Sequence, residues 1–457
     1  MNETVEVAPI GLEAFGYKQE LKRSLTLFDL LVYGLVFIVP GAPVAVFGFV
    51  YNASHGMVPL VYLIGLVAMV FTALSYMAMS RAYPVAGSVY SYASRSLGPT
   101  VGFFAGWAIL LDYLLLPTLS YVAIAIAMHA ALPFVSKPVW VISTLAFATA
   151  VNYFGIETTA RMNIAMLAIG LVILAVFTVV GAVAVAHHVD GAHVTIAPLF
   201  DPAKLTPSLI FGALSLAVLS FLGFDAISTL SEESKGGAST VATATMLSLA
   251  IAAFLFVAQT WMASLFVLGR GGFSGDAANT AFYDIAHSIG GYWLKFLLAV
   301  PGVFFSGVAG ALTAQAATAR LIYGMARDGK LPHVLAHVNP VRKVPERAIF
   351  LVGGITLVLG LFLVDKLELL TSMVSFGALL GFLLVHVSVV AHFIWREKSR
   401  NWLRHLAVPV VGFAIIAYVL WNAEANAKIA GACWMAGGVV LLLVLKWLGR
   451  PVALPVD

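Results

Sequence analysis

The chain is 457 residues long, 61% hydrophobic and only 10% charged, with a formal net charge of +4. No soluble domain of this length carries so many apolar residues, and repeated apolar runs near 20 residues are helices that cross a bilayer. The modest positive charge needs no nucleic-acid partner, and the single cysteine, Cys433, excludes an intrachain disulfide.

In chain order, residues 1–26 form a polar tail with Glu3, Glu6, Glu13, Lys18, Glu20, Lys22 and Arg23 and no apolar core, unlike a signal peptide. Apolar runs then predict twelve spans, at about 27–51, 59–80, 101–131, 138–154, 163–187, 208–230, 243–268, 292–318, 347–364, 370–395, 407–421 and 430–447. An even number puts both termini on one side. If that side is the cytoplasm, 19 of the 25 Lys and Arg residues fall on it and 6 on the other, which by the positive-inside rule predicts termini inside.

Two of these spans are interrupted at mid-depth. The first contains Pro40-Gly-Ala-Pro43, and the sixth contains Ser220-Phe-Leu-Gly-Phe-Asp225. Backbone groups freed from a helix persist in hydrocarbon only where they line a cavity or bind something. Broken spans in corresponding halves point to the binding site of a secondary transporter. The first break opens spans 1–5 (27–187) and the second opens spans 6–10 (208–395), which start from opposite sides because each set holds five. The fold class predicted is thus an all-α integral membrane protein of twelve helices with a LeuT-type 5+5 inverted repeat. Spans 11 and 12 (407–447) are peripheral, and the 269–291 loop holds a short external helix.

The candidate residues follow from the breaks. Pro40 and Pro43 lack amides, so Val39, Pro40, Gly41 and Ala42 are expected to unwind and offer carbonyls; a simple proline kink is the alternative. Ser220 and Gly223 permit the second break. Phe221 is either an aromatic gate or a packing residue, whereas Phe224 reads as packing. Asp225, inside a span, costs about 2.5–3.5 kcal/mol on insertion scales, and reads as a cap of the second half-helix ahead of a substrate contact. Asp112 and Tyr113 lie within span 3 and point about 100° apart on a helix, so at most one of them faces the cavity directly. Tyr113 offers a π-face and a hydroxyl to an amine; Asp112 is a coupling or structural carboxylate. Glu232 and Glu233 end span 6, as solvated charges beside Lys235, an inner gate or an amine-binding acid. Ser306, with Gly307, is a candidate to ligate a coupling sodium. His129, His386 and His392 read as structural. No metal-ligand spacing or phosphate loop occurs, and residues 320–332, from Arg320 to Pro332, read as a basic cytoplasmic extension of span 8.

Several stretches together resemble the amino acid–polyamine–organocation (APC) transporter superfamily: Pro84-Val-Ala-Gly-Ser-Val-Tyr-Ser-Tyr92, Gly223-Phe-Asp-Ala with the two glutamates after it, and residues 320–332. Leu111-Asp-Tyr-Leu-Leu-Leu-Pro117 and residues 219–233 are similar to the bacterial putrescine importer group. The resemblance implies an inner-membrane importer, not an enzyme, that takes up a small amine such as putrescine by alternating access. It favours proton over sodium coupling and requires no cofactor. An amino acid or monoamine permease or exchanger is the alternative, and the oligomeric state is open. Three departures bear on this. The prolines remove amides that hold a carboxylate in amino acid carriers, Ala45 stands where the putrescine importers carry an aspartate, and Gly170 stands where some proton-coupled relatives carry a lysine.

Overall fold

The computed structural model describes residues 12–202, 206, 217–275, 277–423 and 425–447; among these there are helices and no strand. The first span is two helices. α1 (Leu27–Ile38) opens on a capping box, in which the Thr26 hydroxyl accepts from the Asp29 amide and the Asp29 carboxylate accepts from the Thr26 amide at 2.9 Å. It stops at Val39, which has a φ of 61°, because Pro40 disfavours helical backbone in the residue before it. α2 (Ala42–Ala53) restarts with Pro43 in its first turn, where a missing amide costs nothing, and is bent by 45° from α1.

α3 (Val58–Ala82), α4 (Val89–Leu97), α5 (Pro99–Ala131), α6 (Lys137–Phe154) and α7 (Ile156–Ala186) follow. Part of the sixth predicted span, residues 208–216, lies outside the described residues. The rest finishes a helical turn at 217–220, turns through 221–223 and continues as a 3-10 helix, Phe224–Glu233. Then come α8 (Gly237–Ser264), α9 (Ala277–Gly290, the helix expected in the 269–291 loop) and α10 (Tyr292–Arg327), the last loosened to a π-turn around Pro301. α11 (Glu346–Phe362), α12 (Leu367–Val389, continued as a π-helix to Arg396), α13 (Leu403–Trp421) and α14 (Ala425–Trp447) complete the chain.

Eight of the described helices are long and apolar enough to cross a bilayer, and the bent α1–α2 pair makes nine. Twelve spans were expected. The difference is the sixth span, described only in part, and α6 and α11, which stand at the expected places but open on Lys137 and Glu346 and run for only 18 and 17 residues. The protein is thus an all-helical, multi-pass membrane protein.

At the centre α5 packs on α10 and α12, and α3 and α1 pack on α8. The most apolar stretch of α5 is 72% buried, against 22% for α13 and for α14, which therefore lie at the edge of the bundle. Exposed Val172, Val179 and Val183 on α7 and Val440 and Leu443 on α14 suit hydrocarbon, not water. α14 is tied to α5 by the stacked Trp107 and Trp434 rings, 4.6 Å apart, each indole N–H donating to the other's carbonyl at 2.7 Å.

Candidate functional site

The two breaks meet. Gly223 has a φ of 112°, and a Cβ built on it falls 2.3 Å from Phe37 Cδ1 and 3.0 Å from the Phe37 backbone carbonyl carbon. Only glycine combines that backbone with so close an approach to the end of α1. Gly223→Ala is therefore expected to cost about 1–3 kcal/mol through strain and overpacking. The check is the melting temperature of the purified variant; an unchanged value would mean that the two breaks do not abut. Beside Gly41 a Cβ would meet nothing within 4 Å, so the first break borders open space.

Both breaks are tight turns, not open coils. In the first, the carbonyls of Val39 and Gly41 accept from the amides of Ala42 and Val44 at 2.8 and 3.0 Å. In the second, the carbonyls of Leu219 and Gly223 accept from Leu222 and Ala226 at 3.3 and 3.1 Å. Pro40 O accepts from Gln259 Nε2 of α8 at 2.7 Å, and Gln259 Oε1 is buried without a donor. The Val39, Pro40 and Gly41 carbonyls, expected to serve a ligand, thus each have one lone pair already engaged, leaving one for a further donor. Gln259 was not singled out from the sequence, although it is the one side-chain amide in the apolar α8, which is the signal that could have found it.

Tyr113 and Asp225 come together across the fold. The Tyr113 hydroxyl donates to Asp225 Oδ2 at 2.6 Å, its ring lies 5.8 Å from that of Phe37, and its carbonyl accepts from the Thr318 hydroxyl of α10. Asp225 stands in the first turn of the 3-10 helix and is fully buried. Its side chain is tied across the fold to Tyr113, a partner that the capping reading did not include. Its other oxygen, Oδ1, has no hydrogen-bond partner. Asp112, one residue before Tyr113, is 1% exposed and neither of its oxygens has a partner.

Phe221 and Ser220 point elsewhere. Phe221 packs against Tyr62 of α3 and Phe256 of α8, with ring centroids 6.3 and 5.0 Å away, and Ser220 Oγ is 3.3 Å from the Tyr62 hydroxyl. A gating motion would have to pull Phe221 out of that cluster. Phe224 packs with Tyr76 and Phe382, as the packing reading has it. Ser306 donates back to Gly302 O of its own helix at 2.5 Å. Gly310, one turn on, is the α10 residue facing the first break, since a Cβ there would lie 3.7 Å from Val39 Cγ2. His386 lies between Thr72 and Ser75, at 3.2 and 2.9 Å.

Glu232 and Glu233 are neither solvated nor free to receive an amine. Both are buried and paired with arginines from the end of α10. Glu233 takes Arg320 in a two-pronged pair, Nη2 to Oε1 at 2.8 Å and Nε to Oε2. Glu232 takes Arg327 at 2.9 and 3.2 Å and also accepts from the Ala86 amide at 2.9 Å. With both oxygens of Glu233 on Arg320, the unpartnered carboxylate oxygens of the interior are, among the described residues, Asp225 Oδ1, beside the second break, and those of Asp112.

The polar tail is folded onto these pairs. Leu12, Tyr17, Leu21 and Leu25 are buried, and the Ser24 and Leu25 amides donate to Glu233 O at 3.1 and 3.0 Å. Gln19 Nε2 donates to Glu232 O at 3.0 Å. The Arg327 guanidinium lies 3.8 Å from the centre of the Tyr17 ring, and the Tyr17 hydroxyl donates to Asp328 at 2.8 Å. Burial, with the Asp328 charge beside it, pushes that hydroxyl up to about 12, so it stays a donor.

Comparison with known proteins identifies the family. A family model described as amino acid permease matches residues 30–437. The chain is 33% identical over 446 residues to the low-affinity putrescine importer PlaP of Escherichia coli (strain K12), covering 95% of this chain and 96% of that one. It is 26% identical over 459 residues to the branched-chain amino acid permease BcaP of Bacillus subtilis (strain 168), covering 93% of each. A methylthioribose transporter of the same Bacillus strain is 26% identical over 467 residues, 93% of this chain and 92% of that one. These relatives are named as transporters, not enzymes, and with a family match over most of its length the chain belongs to the amino acid permease family.

Proposed function

We propose that this protein is a secondary active transporter that imports a small amine, putrescine or a close relative, across a bacterial inner membrane by proton-coupled alternating access. Its twelve spans form a 5+5 inverted repeat with both termini in the cytoplasm. The observation that carries the amine reading is the buried oxygen Asp225 Oδ1, open beside the junction of the two breaks, with its twin held by Tyr113. An ammonium group there gains a charge-assisted hydrogen bond and the Tyr113 π-face. Gln259 Oε1 is a second acceptor. The name of the Escherichia coli relative points to the same substrate class. On this reading the Glu232–Arg327 and Glu233–Arg320 pairs are a closed inner gate, braced by the tail.

An amino acid carrier of the same family is the second reading, in line with the name of the Bacillus relative. A carboxylate meets few donors at the first break, because Pro40 and Pro43 have no amide and those of Ala42 and Val44 are engaged within the turn. Thermal stabilisation of the purified protein tests the two. Putrescine is expected to raise the melting temperature by mass action, and leucine or other amino acids are not. Stabilisation by amino acids alone would sink the amine reading.

A further inference from the structure

The following rests on the amine reading of the Tyr113–Asp225 site. Asp112 is a fully buried carboxylate with no hydrogen donor on either oxygen. Among the described residues, the charged or titratable groups that act on it are Asp225 from the 3-10 helix, Tyr113 from its own helix and Tyr76 from α3. No lysine, arginine or histidine is among them. From α12 the neighbour is Gly377, whose Cβ position lies 2.8 Å from the Asp112 amide nitrogen and which brings no polar side chain. The Tyr76 hydroxyl is buried and lies in range of both aspartates and of Ser88.

Two carboxylates in an interior without a cation do not both stay ionised. Asp225 has the Tyr113 donor at 2.6 Å and is the one whose charge is supported. Asp112 has none, and a bare charge there is costly. We propose that Asp112 is a proton store which amine binding empties. As an ammonium group settles at Asp225 Oδ1, the O–H bond of Asp112 breaks and its electron pair stays on the carboxylate. The proton leaves to water on the side that admitted the amine. The ammonium balances the new negative charge, and the second ammonium of a diamine supplies the charge for a second carboxylate. Proton and amine thus compete for one pair of aspartates, and each dication carried in is exchanged for one proton carried out, so that the cycle moves one net positive charge inward and is driven by the membrane potential.

The test is calorimetric titration of the purified protein with putrescine in buffers of different ionisation enthalpy, across a range of pH. Wild type is expected to release about one proton per putrescine bound, with affinity falling up to about tenfold for each unit of acidification. In Asp112→Asn, which keeps the shape but holds no exchangeable proton, the release per bound putrescine is lost, and Asp112→Glu restores it. If Asp112→Asn fails to fold, wild type and Asp112→Glu decide the question alone. Binding to wild type without proton release would overturn the proposal, as would undiminished release in Asp112→Asn. If wild type binds no amine at all, the amine reading itself falls, and this inference with it.

Discussion

Arg320→Met is expected to cost about 3–5 kcal/mol of stability, enough to lower the melting temperature sharply and reduce the folded yield. The reason is the partner left behind. Glu233 is 0% exposed, and both its oxygens are held by Arg320, itself 2% exposed. Removing the guanidinium strands a carboxylate in an apolar interior, and Glu233→Gln strands the cation in the same way. The double variant Arg320→Met/Glu233→Gln removes both charges and is expected to regain most of the lost stability, because replacing a whole buried pair is often close to neutral. The double-mutant cycle is the measurement. Additive losses would show that the pair does not act as a unit. The same cycle separates a gate from a binding acid. If Glu233 holds the amine, the double variant stays dead in uptake however stable it is. If the pair is a closed gate, the stable double variant binds putrescine and leaks or exchanges it faster.

Tyr113→Phe is expected to weaken putrescine uptake at least tenfold while the protein stays folded. The substitution removes one oxygen, which donates to Asp225 at 2.6 Å, and leaves the ring against Phe37. A hydrogen bond to a charged group is worth about 1.5–3 kcal/mol, which corresponds to roughly 10- to 150-fold. Tyr113→Ala also removes the ring and is expected to abolish uptake. Radiolabelled uptake normalised to protein in the membrane checks both. Normal transport by Tyr113→Phe would mean that the hydroxyl only fastens α5 to the 3-10 helix and does not set the charge seen by a substrate.

Features that depend on neighbours along the chain are legible in the order of the amino acids. Pro40 ends α1 because it constrains Val39, whatever the rest of the fold does. Apolar runs place the helices, since hydrocarbon demands that each segment satisfy its own backbone. Gly223 marks the second break because it can adopt a φ of 112°. The meaning of the charges was settled by the tertiary structure alone. Glu232 and Glu233, read along the chain, sit beside Lys235 and look solvated. In space they face Arg320 and Arg327, 87 and 95 residues further on, and are buried by a tail whose composition reads as polar and free. Tyr113 and Asp225 are 112 residues apart, and no periodicity links them. Asp225 reads as a cap because capping is the local use of an acid at a helix start; that the fold also brings it a phenol is not legible along the chain. Phe221 and Ser306 were assigned to a cavity from position in their spans, yet the rotation of each helix turned Phe221 toward Tyr62 and Phe256 and Ser306 back onto its own backbone. A helix sequence fixes which residues share a face, but packing against the other helices decides which face looks inward. That decision depends on contacts between residues far apart in the chain, and it is where the chemistry of this site was made.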